Sequence, residues 1–307
     1  MNSTEMHRWV GDVETFDATY WRREPAVFDT APPPPMGLTD IDTALAGGTL
    51  RSPHVEMVRA GKEMALKEYT EAREVGARPI VGFADGPAIL AHLQKGATLL
   101  LRNTEQWHRP TAELVARLAD ETGRRVEAFF FVTPPGAQGL AVHRDDADVL
   151  LLQVAGSKRW TVRSGPPDHH WQAGEVAGDA GPVLLQATVT TGQVLYIPRG
   201  YAHSAVGDEG LSAHVSLTIR EIGGAHLTRA VPRLLCEGVR LPARPLDESG
   251  LLESAGALLD TARERLAALE PQDLVRYARA MQRDQRLNTA EPASVARFAE
   301  QLAGEAG

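Results

Sequence analysis

The sequence feature that most constrains the fold is a change of hydrophobic period near residue 126. From there to residue 219, short segments rich in β-branched and aromatic residues alternate with Gly and Pro. These segments are residues 126–133, 148–154, 159–162, 182–190, 193–197 and 212–219. Several short strands at this spacing are typical of an antiparallel barrel or sandwich. The middle of the chain is therefore predicted to be a β core.

Helical patterns flank this core. Before it, short helices are predicted near residues 39–45, 87–93 and 114–118. After residue 223, apolar residues recur at three- and four-residue steps, which predicts an amphipathic helix. They are Leu251, Leu252, Ala255, Leu258, Leu259, Ala262, Leu266 and Leu269. Two more helices are predicted at residues 274–281 and 295–302.

The N-terminal 37 residues resemble an arm, because scattered aromatic residues are followed by four consecutive prolines, Pro32 to Pro35. Such a run favours an extended polyproline II connector and marks a boundary. We therefore predict an arm and Pro-rich linker at 1–37, a catalytic or binding domain at 38–222, and a helical C-terminal region at 223–307.

Charge and composition exclude several classes of protein. The net charge of −8 disfavours a dedicated nucleic-acid binder, which usually carries a basic face, although an acidic protein can bind a basic peptide. No apolar run approaches the roughly 20 residues of a membrane-spanning helix, and the N-terminus lacks the apolar stretch of a secretory signal. The single cysteine, Cys236, excludes an intramolecular disulfide. A cytoplasmic protein is expected.

Three residues of the β core could bind a metal. On a strand, residues i and i+2 share a face, so His143 and Asp145 can present an imidazole and a carboxylate to one point. A third ligand from a neighbouring strand, such as His203, would complete a set of two histidines and one carboxylate. That set leaves three metal positions open, as a non-heme Fe(II) oxygenase requires. Spacing alone leaves the alternative that these are loop residues or hydrogen-bonded core residues.

Strand parity adds two polar groups to the predicted interior. Lys158 shares a face with Trp160, so an inward Trp160 carries the ammonium into the core, where it needs an anion. The alternative is that Lys158 extends to solvent from a strand end. His214, Ser216 and Thr218 form one face of a later strand, which contacts either water or a polar cavity.

The stretches FVTPPGAQGLAVHRDDADVLLLQVAGSKRW, GQVLYIPRGYAHSAV and SAHVSLT closely resemble the ribosomal-oxygenase branch of the JmjC family. This resemblance implies a double-stranded β-helix of the cupin or jelly-roll type with helices around it. It also implies Fe(II) and 2-oxoglutarate as cofactor and co-substrate. By the resemblance, His143, Asp145 and His203 are the iron ligands and Lys158 pairs with the distal carboxylate of 2-oxoglutarate. Thr218 and His214 match residues near that co-substrate.

Val142 stands where the family usually has Pro, and three further departures from the family are expected to alter the substrate pocket. Phe129 and Phe131 stand where eukaryotic members have an amide and a phenol, and both are expected to face the pocket. Arg144 occupies a position that is usually aromatic. None of these changes removes a metal ligand, but they make the family's ribosomal substrates doubtful.

The expected function is hydroxylation of an unactivated carbon in a protein or peptide side chain. The alternatives are a hydroxylase of a small amino-acid-like metabolite and a non-catalytic metal-binding cupin that acts as sensor or scaffold. Family members often carry a helical dimerisation segment after the catalytic domain. The leucine pattern in 223–307 is therefore expected to form a homodimer. No direct nucleic-acid or membrane partner is expected.

Overall fold

The computed structural model describes residues 4–284 and 295–297. The chain divides into two compact units, Met1–Glu221 and Ile222–Gly307. The boundaries expected at residues 37 and 222 stay predictions. Within the described residues, no helix has both the length and the apolar character needed to cross a membrane.

The helices of the described residues are, in chain order, α1 (Glu5–Val10), α2 (Val13–Thr15), α3 (Leu38–Ala46), α4 (Gly86–Gln94), α5 (Arg109–Thr122), α6 (Gly224–Cys236), α7 (Glu248–Ala268) and α8 (Pro271–Asp284). The strands are β1 (Ala26–Phe28), β2 (Val55–Arg59), β3 (Lys62–Glu63), β4 (Thr70–Val75), β5 (Arg78–Ala84), β6 (Thr98–Leu101), β7 (Val126–Thr133), β8 (His143–Arg144), β9 (Ala147–Ala155), β10 (Ser157–Arg163), β11 (Gly174–Glu175), β12 (Val183–Thr190), β13 (Val194–Ile197), β14 (Ala202–Gly207) and β15 (Ser212–Arg220).

The first unit is built on two antiparallel sheets. The larger sheet has the order β1-β13-β9-β15-β7-β6-β2-β3, and the smaller has the order β11-β8-β14-β10-β12. Their inner faces pack together, because Leu151 and Ile197 of the larger sheet form one buried cluster with Trp160 and Val162 of the smaller. The predicted β core of jelly-roll type is confirmed. A separate hairpin pairs β4 with β5.

The outer face of the larger sheet is covered by helices. Leu114 and Leu118 of α5 pack with Phe130 of β7 in the main hydrophobic core. Trp9 and Phe16 of the N-terminal segment are buried in the same core, and β1 pairs with β13. The segment that was expected to form an arm therefore packs against the core, since its aromatic residues bury more apolar surface there than in an extended chain.

The described part of the second unit contains α6, α7 and α8. Ile222, Ala230 and Ala278 form its small buried cluster. The predicted amphipathic helix is present as α7, and four of its leucines are exposed: Leu251, Leu252, Leu259 and Leu266. Of the helix predicted at 295–302, only 295–297 lie within the described residues, and these are helical.

Candidate metal and co-substrate site

Two histidines and an aspartate converge between β8 and β14. His143 begins β8, Asp145 follows that strand, and His203 lies opposite His143 in the register of β14. His143 Nε2 is 3.8 Å from Asp145 Oδ1, and His203 Nε2 is 3.6 Å from Asp145 Oδ2. One donor atom from each residue fits within 4.8 Å of the others. The structure therefore brings together the three predicted ligands.

Backbone carbonyls set the orientation of both imidazole rings. His143 Nδ1 donates to Ala141 O at 2.8 Å, and His203 Nδ1 donates to Tyr201 O at 3.0 Å. A ring whose Nδ1 carries the proton offers its Nε2 lone pair, as metal-binding histidines do. Burial and the nearby His143 lower the pKa of His203 to about 4, so the ring is neutral near pH 7. Two imidazole nitrogens and one carboxylate match the donor set of non-heme Fe(II) sites.

The turn before β14 is attached to the segment that carries Asp145. Gly200 N–H donates to Asp145 O at 2.9 Å, and Gly200 has φ +80°, a conformation that favours glycine. Arg199 pairs with Asp146 at 2.6 Å, and its backbone N–H donates to Asp148 Oδ1 at 3.1 Å. These contacts fix Asp145 relative to the strand that carries His203.

Lys158 lies inside the same cavity, 3% exposed. Its Nζ donates to Thr133 Oγ1 at 3.0 Å and lies 5.6 Å and 5.8 Å from the ring centres of Trp160 and Phe131. Among the described residues, no carboxylate lies within ion-pair distance of this ammonium. Burial lowers the pKa of Lys158 to about 7. A buried ammonium without a counter-ion is the arrangement expected of an anion-binding site.

His214 and Thr218 of β15 also line this cavity. The His214 ring stacks on Phe131 with centres 4.7 Å apart, and its buried Nδ1 has no hydrogen-bond partner among the described residues. Burial and the charge of Lys158 hold the pKa of His214 well below its usual value. Thr218 Oγ1 makes a long contact, 3.4 Å, with Glu127 O. Both side chains therefore have hydrogen-bonding capacity to spare for a ligand.

Phe129 and Phe131 both line the cavity, which has a volume of about 140 Å³. Arg144 does not line it, which corrects its placement in the substrate pocket. Its guanidinium is buried on the opposite face of β8 and donates to the carbonyl oxygens of Ser164, Gly200 and Ala180. The physical reason is strand alternation, which directs Arg144 away from the face that His143 uses.

Sequence reasoning missed three cavity-related residues: Arg102, Arg220 and Thr133. Arg102 and Arg220 line the cavity, and Thr133 contacts Lys158. Parity offered a signal for Arg220, since it continues the face of His214, Ser216 and Thr218. Arg102 gave no such signal, because its position depends on β6 pairing with β7.

Comparisons with known proteins agree with this geometry. The family model described as the JmjC domain matches residues 102–227. Ribosomal oxygenase 1 of Gallus gallus is 26% identical over 248 residues, covering 76% of this chain and 40% of the relative. The bifunctional lysine-specific demethylase and histidyl-hydroxylase NO66 of Drosophila simulans is 31% identical over 144 residues, covering 45% of this chain and 17% of the relative. The chain thus spans less than half the length of these curated relatives.

Solved structures with the same fold include ycfD of Escherichia coli, with a TM-score of 0.58 and 17% identity over 95% of this chain and 78% of that one. A structure described as YcfD, a ribosomal oxygenase from Escherichia coli, in complex with cobalt and 2-oxoglutarate has a TM-score of 0.52 and 17% identity. It covers 83% of this chain and 68% of that one. At this identity the likeness establishes the fold. Residues 102–227 thus match the JmjC domain, and the chain is similar in sequence to ribosomal oxygenases and in fold to ycfD.

Proposed function

We propose that the protein is an Fe(II)- and 2-oxoglutarate-dependent oxygenase that hydroxylates an unactivated carbon of a protein or peptide side chain. The observation that carries this proposal is the pairing of two features in one cavity. One is the triad of His143, Asp145 and His203, and the other is the buried, uncompensated ammonium of Lys158. A dicarboxylate bound to a metal at the triad would supply the anion that Lys158 lacks.

Each of these side chains has a defined task. His143, Asp145 and His203 would hold Fe(II), to which 2-oxoglutarate and dioxygen would bind. Lys158 pairs with the distal carboxylate, and Thr133, itself contacted by Thr98 at 3.2 Å, fixes the direction of the ammonium. The bound iron supplies the activation of dioxygen, and the protein supplies geometry and electrostatics.

The overall reaction consumes dioxygen, 2-oxoglutarate and a substrate C–H bond, and it yields a C–OH group, succinate and carbon dioxide. One oxygen atom enters succinate and the other enters the hydroxyl group. The apolar side chains of Val149, Leu151, Trp160 and Ile197 line the cavity.

A protein substrate is supported by the relatives, one of which is named a histidyl-hydroxylase and another a ribosomal oxygenase. Phe129 and Phe131 give this cavity an apolar wall. An apolar wall lacks the hydrogen-bonding groups expected at these positions in the family, so the substrate group that it accepts is expected to differ.

The test is succinate formation from 2-oxoglutarate by the Fe(II)-loaded protein. We expect the wild type to form succinate. The His203→Ala variant should lose both succinate formation and stoichiometric iron binding. His170→Ala, which changes an exposed histidine, is the matched control and should behave as wild type. An iron-binding wild type that forms no succinate would support a non-catalytic metal-binding cupin. Wild-type turnover in His203→Ala would refute the triad.

We also propose that the protein is a homodimer in a reducing, cytoplasmic setting. The exposed leucines of α7 support the dimer, because Leu252 and Leu259 are 65% and 53% exposed on a helix predicted to bury them. The single cysteine, Cys236, supports a reducing compartment.

A further inference from the structure

Two arginines in the cavity wall have no task in the proposed chemistry. Arg102 directly follows β6, beside Phe129 on the neighbouring strand, and Arg220 ends β15. Both side chains line the cavity. Arg220 lies two and six residues beyond Thr218 and His214 on the same strand face, and Arg102 lies beside Phe129, two residues before the Phe131 that Lys158 faces; the part of the cavity wall that holds the two arginines is the arginine end.

Each guanidinium is paired with a glutamate, Arg220 through a hydrogen bond from Nε and Arg102 through an ion pair without hydrogen-bond geometry at Nε. Arg102 Nε lies 2.6 Å from Glu56 Oε1, and Arg220 Nε lies 2.8 Å from Glu127 Oε2. Neither glutamate is among the residues that line the cavity. The Nε hydrogen bond fixes the Arg220 side chain, and in both residues the glutamate contact leaves Nη groups, which can bind a carboxylate in a bidentate manner.

Few groups of the described chain use these Nη atoms. Arg220 Nη1 has one long contact, 3.4 Å, with Asp146 O. For Arg102, no hydrogen bond from an Nη atom to a described residue is present, although its guanidinium lies 5.9 Å from the Phe129 ring centre. The donors are therefore available to a ligand in the cavity.

The charge balance favours an anion at this end of the cavity. Glu127 lies between Arg220 and Arg125, at 2.8 Å and 2.6 Å. Burial acts to raise the pKa of Glu127, but the two guanidinium groups hold it below its usual value, so the carboxyl is ionised. These three groups sum to one positive charge. Among the lining residues, the only carboxylate is the triad's Asp145, so a cationic substrate group would meet no free counter-ion.

We propose that the substrate presents a carboxylate to Arg102 and Arg220 while its apolar part lies against Phe129. This inference rests on the proposed oxygenase function and names the substrate class of the same site. The carboxylate is either the side chain of an acidic residue in a peptide or the free carboxylate of a small amino-acid-like molecule. Basic side chains are excluded from this end by the same two arginines.

The test compares probes that differ only in this group. One pair is two degenerate libraries of capped nonapeptides with either Glu or Gln at the centre, accompanied by a third with Lys. The other pair is leucine and leucinamide. We expect at least one carboxylate probe to accelerate succinate formation about tenfold or more over its amide partner. The pair of probes that responds identifies the peptide or the small acid as the source of the carboxylate.

Variants separate recognition from damage to the fold. In Arg102→Gln and Arg220→Gln, the ratio of kcat/KM for the carboxylate probe to that for its amide should fall about tenfold, whereas a folding defect lowers both values together. Arg102→Lys should recover part of the ratio, because it keeps the charge and loses the fork. Arg159→Gln, an arginine paired with Asp208 and 61% exposed, is the matched control and should keep the wild-type ratio.

Binding to the metal-free protein, observed by ligand-detected NMR, gives a second readout that needs no turnover. Leucine or the Glu library should bind more tightly than its amide partner. Equal or better responses to the amide or Lys probes, or no response to any carboxylate probe, would overturn the inference. If the carboxylate inference fails but 2-oxoglutarate is still converted to succinate without added substrate, the proposed oxygenase function stands. A complete lack of succinate would instead remove the proposed function.

Discussion

Lys158 illustrates how the surroundings of a single residue set its chemistry. Its ammonium is buried against Trp160 and Phe131, and its hydrogen bond goes to the hydroxyl of Thr133. Loss of hydration lowers the pKa of Lys158 from 10.5 to about 7. Near neutral pH the charged form of Lys158 therefore costs the folded protein free energy, and a bound carboxylate would reduce this cost.

The first prediction concerns stability and pH. The pKa of Lys158 is about 7 in the folded chain, against an ordinary value of 10.5, so between these pH values the unfolded chain binds more protons. Burial of the charged Lys158 destabilises the folded chain fully below pH 7, and this destabilisation decreases as the pH rises toward 10.5. Lys158→Met, without metal or 2-oxoglutarate, should thus be more stable than wild type at pH 6.5 by on the order of 2 kcal/mol or more. The difference should shrink toward pH 10.

Urea unfolding of both proteins across this pH range checks the prediction, because other titrating groups cancel in the comparison. A Lys158→Met protein no more stable than wild type at pH 6.5 would show that the ammonium is not penalised by burial.

At individual positions, strand alternation was the most reliable guide available in the sequence. It predicted that Lys158 shares the inward face of Trp160, and both line the cavity. The same rule places Arg144 on the face opposite His143, as in the structure, whereas the resemblance to the family places it in the pocket. The position of Arg102 in the cavity wall could not be predicted from the sequence, since no local pattern predicts which strand pairs with β7.

Among the elements, the N-terminal segment is fixed to β9, the strand that follows Asp145. Arg22 pairs with Asp148 at 3.1 Å and with Glu221 at 2.8 Å. Tyr196 of β13 donates to the same Asp148 at 2.8 Å and accepts the Arg22 backbone N–H. Because both carboxylates are buried, Arg22 is expected to stabilise the region that positions Asp145.

The second prediction is that Arg22→Met destabilises the fold by about 1–3 kcal/mol, since it leaves buried carboxylates with fewer partners. The effect is moderate because Asp148 keeps Tyr196 and Glu221 keeps Arg124. Arg23→Met is the control and should matter little, because within the described part of the chain the guanidinium of Arg23 contacts nearby backbone carbonyls alone. Urea midpoints measure both. An unchanged midpoint in Arg22→Met would contradict the role given to this ion pair.

The elements differ in how far the sequence could predict them. β7 and β15 are long and rich in β-branched or aromatic residues, and the predicted strands coincide with them. β14 carries His203 but reads AHSAVG, a composition without strand preference, and it forms because β10 and β8 pair with it on both sides. Long-range pairing is therefore what makes β14 a strand, and β14 places His203, one of the three candidate metal ligands.

At the scale of the whole molecule, the exposed leucines of α7 bear on the oligomeric state. The third prediction is a homodimer at micromolar concentration that Leu252→Glu/Leu259→Glu converts to a monomer, because a buried carboxylate is costly at an apolar interface. Leu246→Glu, at a fully exposed leucine before α7, is the control and should stay dimeric. Analytical ultracentrifugation distinguishes these states. A wild type that sediments as a monomer would refute the dimer.

The measurement that tests the central claim most directly is an anaerobic titration of the Fe(II)-loaded protein with 2-oxoglutarate, followed by the charge-transfer absorption of the complex. Wild type should bind stoichiometrically. Removing one partner of a buried charge pair costs on the order of 2–5 kcal/mol, so Lys158→Met should bind the co-substrate at least roughly thirtyfold more weakly. Iron binding should persist, and Arg159→Met should match wild type. Wild-type affinity for 2-oxoglutarate in Lys158→Met would contradict the account.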